Sequence, residues 1–299
     1  MDFIQRGIYT YSNGLSITNN NLLPTEMIIS DRISNEALLI RMLCGTLNIT
    51  YDIAGHNEQF SQTNNYAVPG VEENQKYKKS IIQGFFSFDH FRVNEKECID
   101  KYLRLNRRNH FVHSELLSEL SSAVIWMENS PIEAFVHIYR ALEFMSYSFP
   151  LIYASKSMDY RGSYRELKKF MSGNSDGELS FLRIFLKELF QDKLIYDFVF
   201  EIYFMDDNET LIQEELERVI KHNYYTFEGN TMKIKFMNVV DLIIDLRNRF
   251  FHMLLGIGSD NFYDIRYDKR SIFYAMNPVF VNWLTLVYRE IVIYSLEIV

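Results

Sequence analysis

The stretch from Asn238 to Gly256, NVVDLIIDLRNRFFHMLLG, constrains the fold more than any other part of the chain. Its apolar residues recur at three- and four-residue intervals, which predicts a helix closed by Gly256. On a wheel of about 100° per residue, apolar side chains cover most of the circumference. Such a helix needs apolar neighbours on several sides and is expected near the centre of a helical bundle. Its polar residues Asp241, Asp245, Asn248 and His252 form one wedge, with Arg249 at the margin. Arg247 stands apart, about 140° from His252, among apolar neighbours. Burying a guanidinium without a partner costs roughly several kcal/mol. Arg247 must therefore reach outward, pair with an acid or face a second chain.

The rest of the chain divides near residue 93. Residues 1–93 are expected to form a small α+β module. GIYTYSNGLSIT and GTLNITYDIAG alternate like strands between Asn/Gly turn signals. SNEALLIRMLCG between them has helical spacing and a Gly stop. The polar segment His56–Lys79, carrying Pro69-Gly70, reads as loop. Residues 94–299 read as helical: HFVHSELLSELSSAVIWME, then a break at Asn129-Ser130-Pro131, then PIEAFVHIYRALEFMSYSF and SYRELKKFM. LSFLRIFLKELFQDKLIYDFVFEIYF reads as one long helix or two, and ETLIQEELERVIKHNYY as an amphipathic one. The fold class is mainly α. With only 5 Pro and 12 Gly in 299 residues, few breaks interrupt the pattern.

The polar wedge carries chemistry. His252 is the residue type that moves protons near neutral pH. Arg247 offers a planar fork that holds phosphoryl oxygens and stabilises charge building on them. Together they suit RNA transesterification: the ribose 2′-OH attacks, His252 shuttles protons and Arg247 holds the phosphate. Asn248, one turn from His252, orients its ring or the phosphate. On 131–147 of the earlier helix, Glu133, His137, Arg140, Glu143 and Tyr147 share one side, which makes Glu143 a candidate partner for Arg247. Asp241 and Asp245 have two readings: they orient His252, or they set repulsive charge beside an RNA backbone.

The string Arg247-Asn248-Arg249-Phe250-Phe251-His252 resembles the Arg-polar-x-x-x-His signature of the HEPN superfamily. AFVHIYRALEFMSYSF, residues 134–149, is similar to the earlier "RALE" helix of members linked to abortive infection. The resemblance covers roughly residues 95–299. It implies a HEPN-like helical bundle that dimerises, with the two motifs meeting in a cleft between chains. It implies a metal-independent endoribonuclease that leaves a 2′,3′-cyclic phosphate, in phage defence, a toxin–antitoxin pair or RNA processing. Arg247, Asn248 and His252 carry over as catalytic, and Glu143 more weakly as a supporting acid. RNA is the expected substrate, with a trigger or antitoxin protein as a candidate partner, and neither cofactor nor metal is expected. The alternative is an inactive HEPN-type dimeric scaffold that binds a partner or a nucleotide. A third reading is an unrelated helical regulator, with Arg247 in a buried ion pair and His252 merely packing. The wide separation of Arg247 and His252 on one helix independently favours a site completed by a second copy.

A second copy of the pattern, Arg108-Asn109-His110-Phe111-Val112-His113, precedes the first predicted bundle helix and reads as a surface turn or helix start. Its competing reading joins Lys101, Arg104, Arg107 and Arg108, with Arg249, into an RNA-contacting basic patch. The net charge of -8 argues against a chain coated in such charge, though not against a local cleft. His137 reads as an ordinary helix histidine, and Glu214, Glu215, Glu217, Arg218 and Lys221 as a solvated face. The Phe/Tyr runs at 181–204 read as core. Cys44 and Cys98, outside any CxxC or Cys/His cluster, read as small core residues of a reducing compartment. The N-terminus lacks a signal-peptide pattern. The apolar segment Pro278–Val299 carries Asn282, Arg289 and Glu290, and is expected to be a buried or interface helix rather than a membrane span. The expected location is cytoplasmic.

Overall fold

The computed structural model describes residues 3–14, 23–53, 56–70, 72–73, 85, 95–106, 110–155, 160–171, 179–205, 212–214, 216–217, 220, 224–251 and 268–297. The N-terminal part begins with strands β1 (Phe3–Arg6) and β2 (Tyr9–Asn13), then helix α1 (Asn35–Leu43) and strands β3 (Leu47–Ile53) and β4 (His56–Gln62). These strands form one antiparallel sheet in the order β1-β2-β3-β4. Two short strands, β5 (Asn64–Asn65) and β6 (Glu72–Glu73), pair beside it. The helix expected from SNEALLIRMLCG is α1, started by Ser34, whose Oγ accepts the Ala37 N–H at 3.1 Å. Past its end, Gly45 adopts φ +70, and a Cβ there would lie 2.7 Å from the backbone of Thr63 and Asn64. Only glycine fits both constraints.

One expectation for this part is corrected. Residues 56–62 form a strand, not a loop: β4 pairs with β3 from Leu47↔Gln62 to Ile53↔His56. It lies at the sheet edge with Asn57, Glu58, Gln59 and Ser61 exposed, so it has no apolar alternation to read.

The second part contains α2 (Glu95–Leu105), α3 (His110–Trp126), α4 (Pro131–Ser155), α5 (Tyr160–Met171), α6 (Ser180–Phe190), α7 (Val239–Phe251) and α8 (Lys269–Glu297). Pro131 opens α4, where its missing N–H leaves no intrahelical bond unmade. Helix α4 is the hub: it packs on α3, α5, α6 and α8. Phe135 lies against Phe273 and Phe280 of α8. Among the described residues, 212–214 and 216–217 are helical, with Ile212, Leu216 and Ile220 buried at four-residue steps as an amphipathic helix requires.

A second correction falls here. The segment 179–204 is neither one long helix nor two, since α6 is its one α-helix. After α6 the chain turns into strand β7 (Val199–Tyr203), which joins β8 (Tyr225–Glu228) and β9 (Thr231–Lys235) in an antiparallel sheet, order β7-β9-β8. In VFEIY, Phe200 and Ile202 are buried while Val199, Glu201 and Tyr203 are exposed, a period of two. The aromatic residues that suggested core do serve it, since Phe185, Phe190, Phe200 and Phe204 are all buried.

The two parts share one hydrophobic core. Tyr9 and Tyr11 of β2 bond Ser122 and Ser121 of α3 through their hydroxyls, at 2.6 and 2.8 Å. Three polar residues in the apolar C-terminal helix tie it to the rest of the protein. Asn282 holds the 66–70 loop, Arg289 Nε donates to the Phe85 carbonyl at 2.9 Å, and Glu290 pairs with Lys193 at 2.6 Å. Among the described residues, α8 is the one helix long and apolar enough to cross a membrane, and 83% of its apolar window is buried inside the protein.

Candidate functional site

Helix α7 carries Arg247 and Asn248. Val239, Val240, Leu242, Ile243 and Leu246 are buried; Asp241 and Asp245 are half-buried and Asn248 exposed on the opposite side, and Arg247 is half-buried between the two. The polar wedge therefore faces outward, and α7 is half-exposed rather than enclosed all round. His252 lies outside the described residues, as do Arg107 and Arg108; Arg249 is in α7, but its side chain is outside them too.

Arg247 satisfies its charge by reaching outward. Its guanidinium lies over the Tyr139 ring of α4, 5.0 Å from the centroid, and its Nη1 donates to Asn248 Oδ1 at 3.1 Å. Tyr139 is 8% exposed, so the cation sits on a desolvated aromatic face at the bundle surface. The expected ion pair with Glu143 is absent from the ion pairs of the described residues. Glu143 is half-buried one turn beyond Tyr139 on the same helix.

Each acid of the wedge has a partner. Asp241 Oδ1 accepts from Arg183 Nε at 2.5 Å, and Asp245 Oδ2 accepts from the Tyr224 hydroxyl at 2.7 Å. Burial, followed by the bond to Asp245, raises the Tyr224 pKa, so the phenol stays protonated and keeps donating. Asp241 is tied to α6 and Asp245 to the segment before β8.

Of the predicted basic patch, Arg104 is exposed and lies 3.9 Å from Glu26 Oε1. Lys101 is also exposed. The patch thus contains an acid at its described end, which weakens its attraction for a phosphate backbone. Among the described residues no group of three His, Cys, Asp or Glu side chains is placed to hold a metal ion.

Two histidine clusters were not read from the sequence as sites. On the bundle surface, His137 Nδ1 lies 2.7 Å from Glu119 Oε2, and Arg140 Nη2 holds the other carboxylate oxygen at 2.9 Å. Deeper, His113 of the second Arg-Asn-x-x-x-His copy is 4% exposed. Its Nε2 lies 3.5 Å from Glu36 Oε1 and its Nδ1 is 3.4 Å from the Tyr288 hydroxyl. The Tyr102 hydroxyl donates to the same Glu36 oxygen at 2.5 Å. The helix start read from this string is α3, which begins at His110, and His113 on its first turn is not at the surface but at the floor of a pocket. Its sequence signal was the pattern itself; nothing local points to Glu36, 77 residues earlier.

Compared with protein-family models, with characterised proteins and with solved structures, the chain has no significant match.

Proposed function

We propose that the protein is a metal-independent endoribonuclease of HEPN type, an effector in phage defence or a toxin–antitoxin-like stress system, working as a homodimer. The observation that carries this reading is the placement of Arg247 and Asn248. Arg247 is half-buried with its guanidinium seated on Tyr139, and it donates to the exposed Asn248 beside it at the surface end of an otherwise buried helix. An arginine kept only for packing or a buried ion pair has no need of that outward setting. Seated on a ring, it can turn its N–H edge toward a phosphoryl oxygen at little entropic cost. The ion pair of Asp241 with Arg183 supports the same reading, because it offsets one of the two negative charges an approaching RNA would meet.

In the proposed reaction His252 takes the proton from the ribose 2′-OH as its oxygen attacks phosphorus. The bond to the 5′-oxygen breaks, and that oxygen leaves with a proton from a histidine acting as acid. Arg247 stabilises the negative charge on the phosphoryl oxygens, and Asn248 fixes their position. The products are a 2′,3′-cyclic phosphate and a 5′-hydroxyl end.

The test is cleavage of RNA in EDTA by purified wild type, His252→Ala and Arg247→Ala, with end-group analysis. Cyclic phosphate ends with wild type, lost in both variants, support the proposal. Cleavage that persists in His252→Ala sinks it. Light scattering on the same samples reads the dimer, and a monomer at micromolar concentration argues against a site shared between chains.

A further inference from the structure

The second Arg-Asn-x-x-x-His copy leads to a separate pocket. It lies where the start of α1 meets the α2–α3 junction, has a volume of about 420 Å³, and is open to solvent on one side. That volume is toward the small end of the range for small-molecule sites, about 300–1,000 Å³. It excludes a folded polynucleotide and admits a metabolite.

Its charges are sorted by depth. At the rim stand Arg6, Arg32 and His110. Arg6 is held by Nε to Asn35 Oδ1 at 2.8 Å, Nη2 to the Ile33 carbonyl at 2.9 Å and Nη1 to the Gln5 carbonyl at 3.0 Å. A guanidinium has five N–H groups, so this fixed cation keeps donors for a ligand. Arg32 is exposed and forms no hydrogen bond or ion pair among the described residues. The floor is different: Glu36, 2% exposed, and His113 are locked together with Tyr102 and Tyr288, and Asn106 lies beside them. A buried carboxylate needs such partners, and it would repel an anion that reached the floor.

An occupant must therefore bring negative charge to the rim and hydrogen-bond donors to the floor. It must also do without stacking. Among the described residues Ile33 is the one apolar side chain that lines the pocket, and none of them puts a Phe, Tyr or Trp ring in its wall. A nucleobase would have no face to rest on.

We infer that this pocket binds a small phosphorylated polyol, a sugar phosphate, with the phosphate between Arg6 and Arg32 and the hydroxyls turned toward Glu36, Asn106 and Ser34. The phosphate gains charge-assisted bonds at a prearranged guanidinium. The hydroxyls donate to acceptors that α1 and α2 already hold in place.

The full-length protein is titrated by calorimetry with ribose 5-phosphate, glucose 6-phosphate, inorganic phosphate and adenosine 5′-monophosphate. At least one sugar phosphate is expected to bind about tenfold or more tightly than inorganic phosphate. Arg32→Ala, a change at an exposed side chain, is expected to weaken it about tenfold, and Arg32→Glu to abolish it. Glu36→Gln, if it folds, is expected to bring the sugar phosphate to the level of inorganic phosphate. Absence of sugar-phosphate binding, indifference to Arg32→Glu, or equal affinity for inorganic phosphate each overturns the inference. Tighter binding of the nucleotide than of either sugar phosphate overturns the polyol assignment. None of these measurements involves RNA or His252, so they stand apart from the nuclease test.

Discussion

Asn282 offers a direct measure of how tightly the N-terminal part is bound to the bundle. Its side chain is fully buried in α8 and makes three bonds to one loop. Nδ2 donates to the Tyr66 and Val68 carbonyls at 2.6 and 2.7 Å, and Oδ1 accepts from the Gly70 N–H at 3.1 Å. Asn282→Leu keeps the size and removes all three bonds. Tyr66 is 1% exposed, so its carbonyl is left without water, at about 1–3 kcal/mol. Val68 and Gly70 are half-buried and recover part of their loss by hydration, leaving roughly 0.5–1 kcal/mol each. The sum is about 2–5 kcal/mol, a large part of a typical stability of about 5–15 kcal/mol. Asn282→Asp should be worse at neutral pH, because a carboxylate would face two carbonyl oxygens in a dry site. Its deficit should shrink as pH falls: the buried carboxyl has a raised pKa in the folded state, and once protonated it donates one of the lost bonds. The assay is urea unfolding followed by far-ultraviolet circular dichroism and tyrosine fluorescence. The expected order of stability is wild type, Leu, then Asp, with one transition in each. A Leu variant within about 1 kcal/mol of wild type, or an Asp variant at least as stable as Leu at pH 7, would mean that water fills the site, and the reasoning would fail.

Further outcomes follow from single residues. Cys44 is fully buried, and burial pushes its thiol up to about 12, so maleimide at pH 8 should label Cys98 alone in the native protein and both cysteines in denaturant. Arg41, also fully buried, donates to Asn13 Oδ1 and to the carbonyls of Met27 and Thr46; Arg41→Met should cost about 3 kcal/mol or more in a denaturant melt. Asp268 accepts from the Ser271 hydroxyl and the Arg270 N–H at the start of α8, which hold its carboxyl below the usual value of 3.8. Its contribution, under about 1 kcal/mol at this exposed end, is present above pH 3.8 and lost as pH falls through the depressed value; the melting difference between wild type and Asp268→Ala should vanish at low pH. On the proposed function, Tyr139→Leu should slow RNA cleavage several-fold while Tyr139→Phe preserves it, since the ring rather than the hydroxyl supports Arg247.

Helices were legible where their apolar period was long and their ends were marked. Pro131 opened α4 and Ser34 and Gly45 bracketed α1, as local chemistry demands. Strands were legible only where one face is buried. β2 and β3 alternate visibly, whereas β4, an edge strand, hides its pairing behind a polar sequence. The β7–β9 sheet was hidden differently. VFEIY follows an apolar helix with no proline or glycine between, so its period of two runs on from a period near four. Over such a short segment, packing of Phe200 and Ile202 into the core decides the conformation, not local preference.

The two Arg-Asn-x-x-x-His strings show where a motif alone stops. Around Arg247 the helical wheel gathered Asp241, Asp245 and Asn248 into one polar wedge, which the structure leaves half-buried to exposed. It could not reveal that an aromatic ring, not Glu143, supports the guanidinium, because Tyr139 lies more than a hundred residues earlier. Around His113 the same string gave a surface turn or a helix start; the helix start is there, but the histidine on it is buried against Glu36. A histidine one turn into a helix faces either water or core, and its own sequence neighbours say nothing about a carboxylate on α1. Partner chemistry across the fold, rather than the spacing of the string, separates the two copies: one cation is seated on a ring, and one histidine is closed against an acid. A substitution that respects this difference should separate the activities. Arg32→Glu should leave RNA cleavage intact while removing the small anion, and Arg247→Ala should do the reverse. Loss of both activities in either variant would mean that the two sites are one.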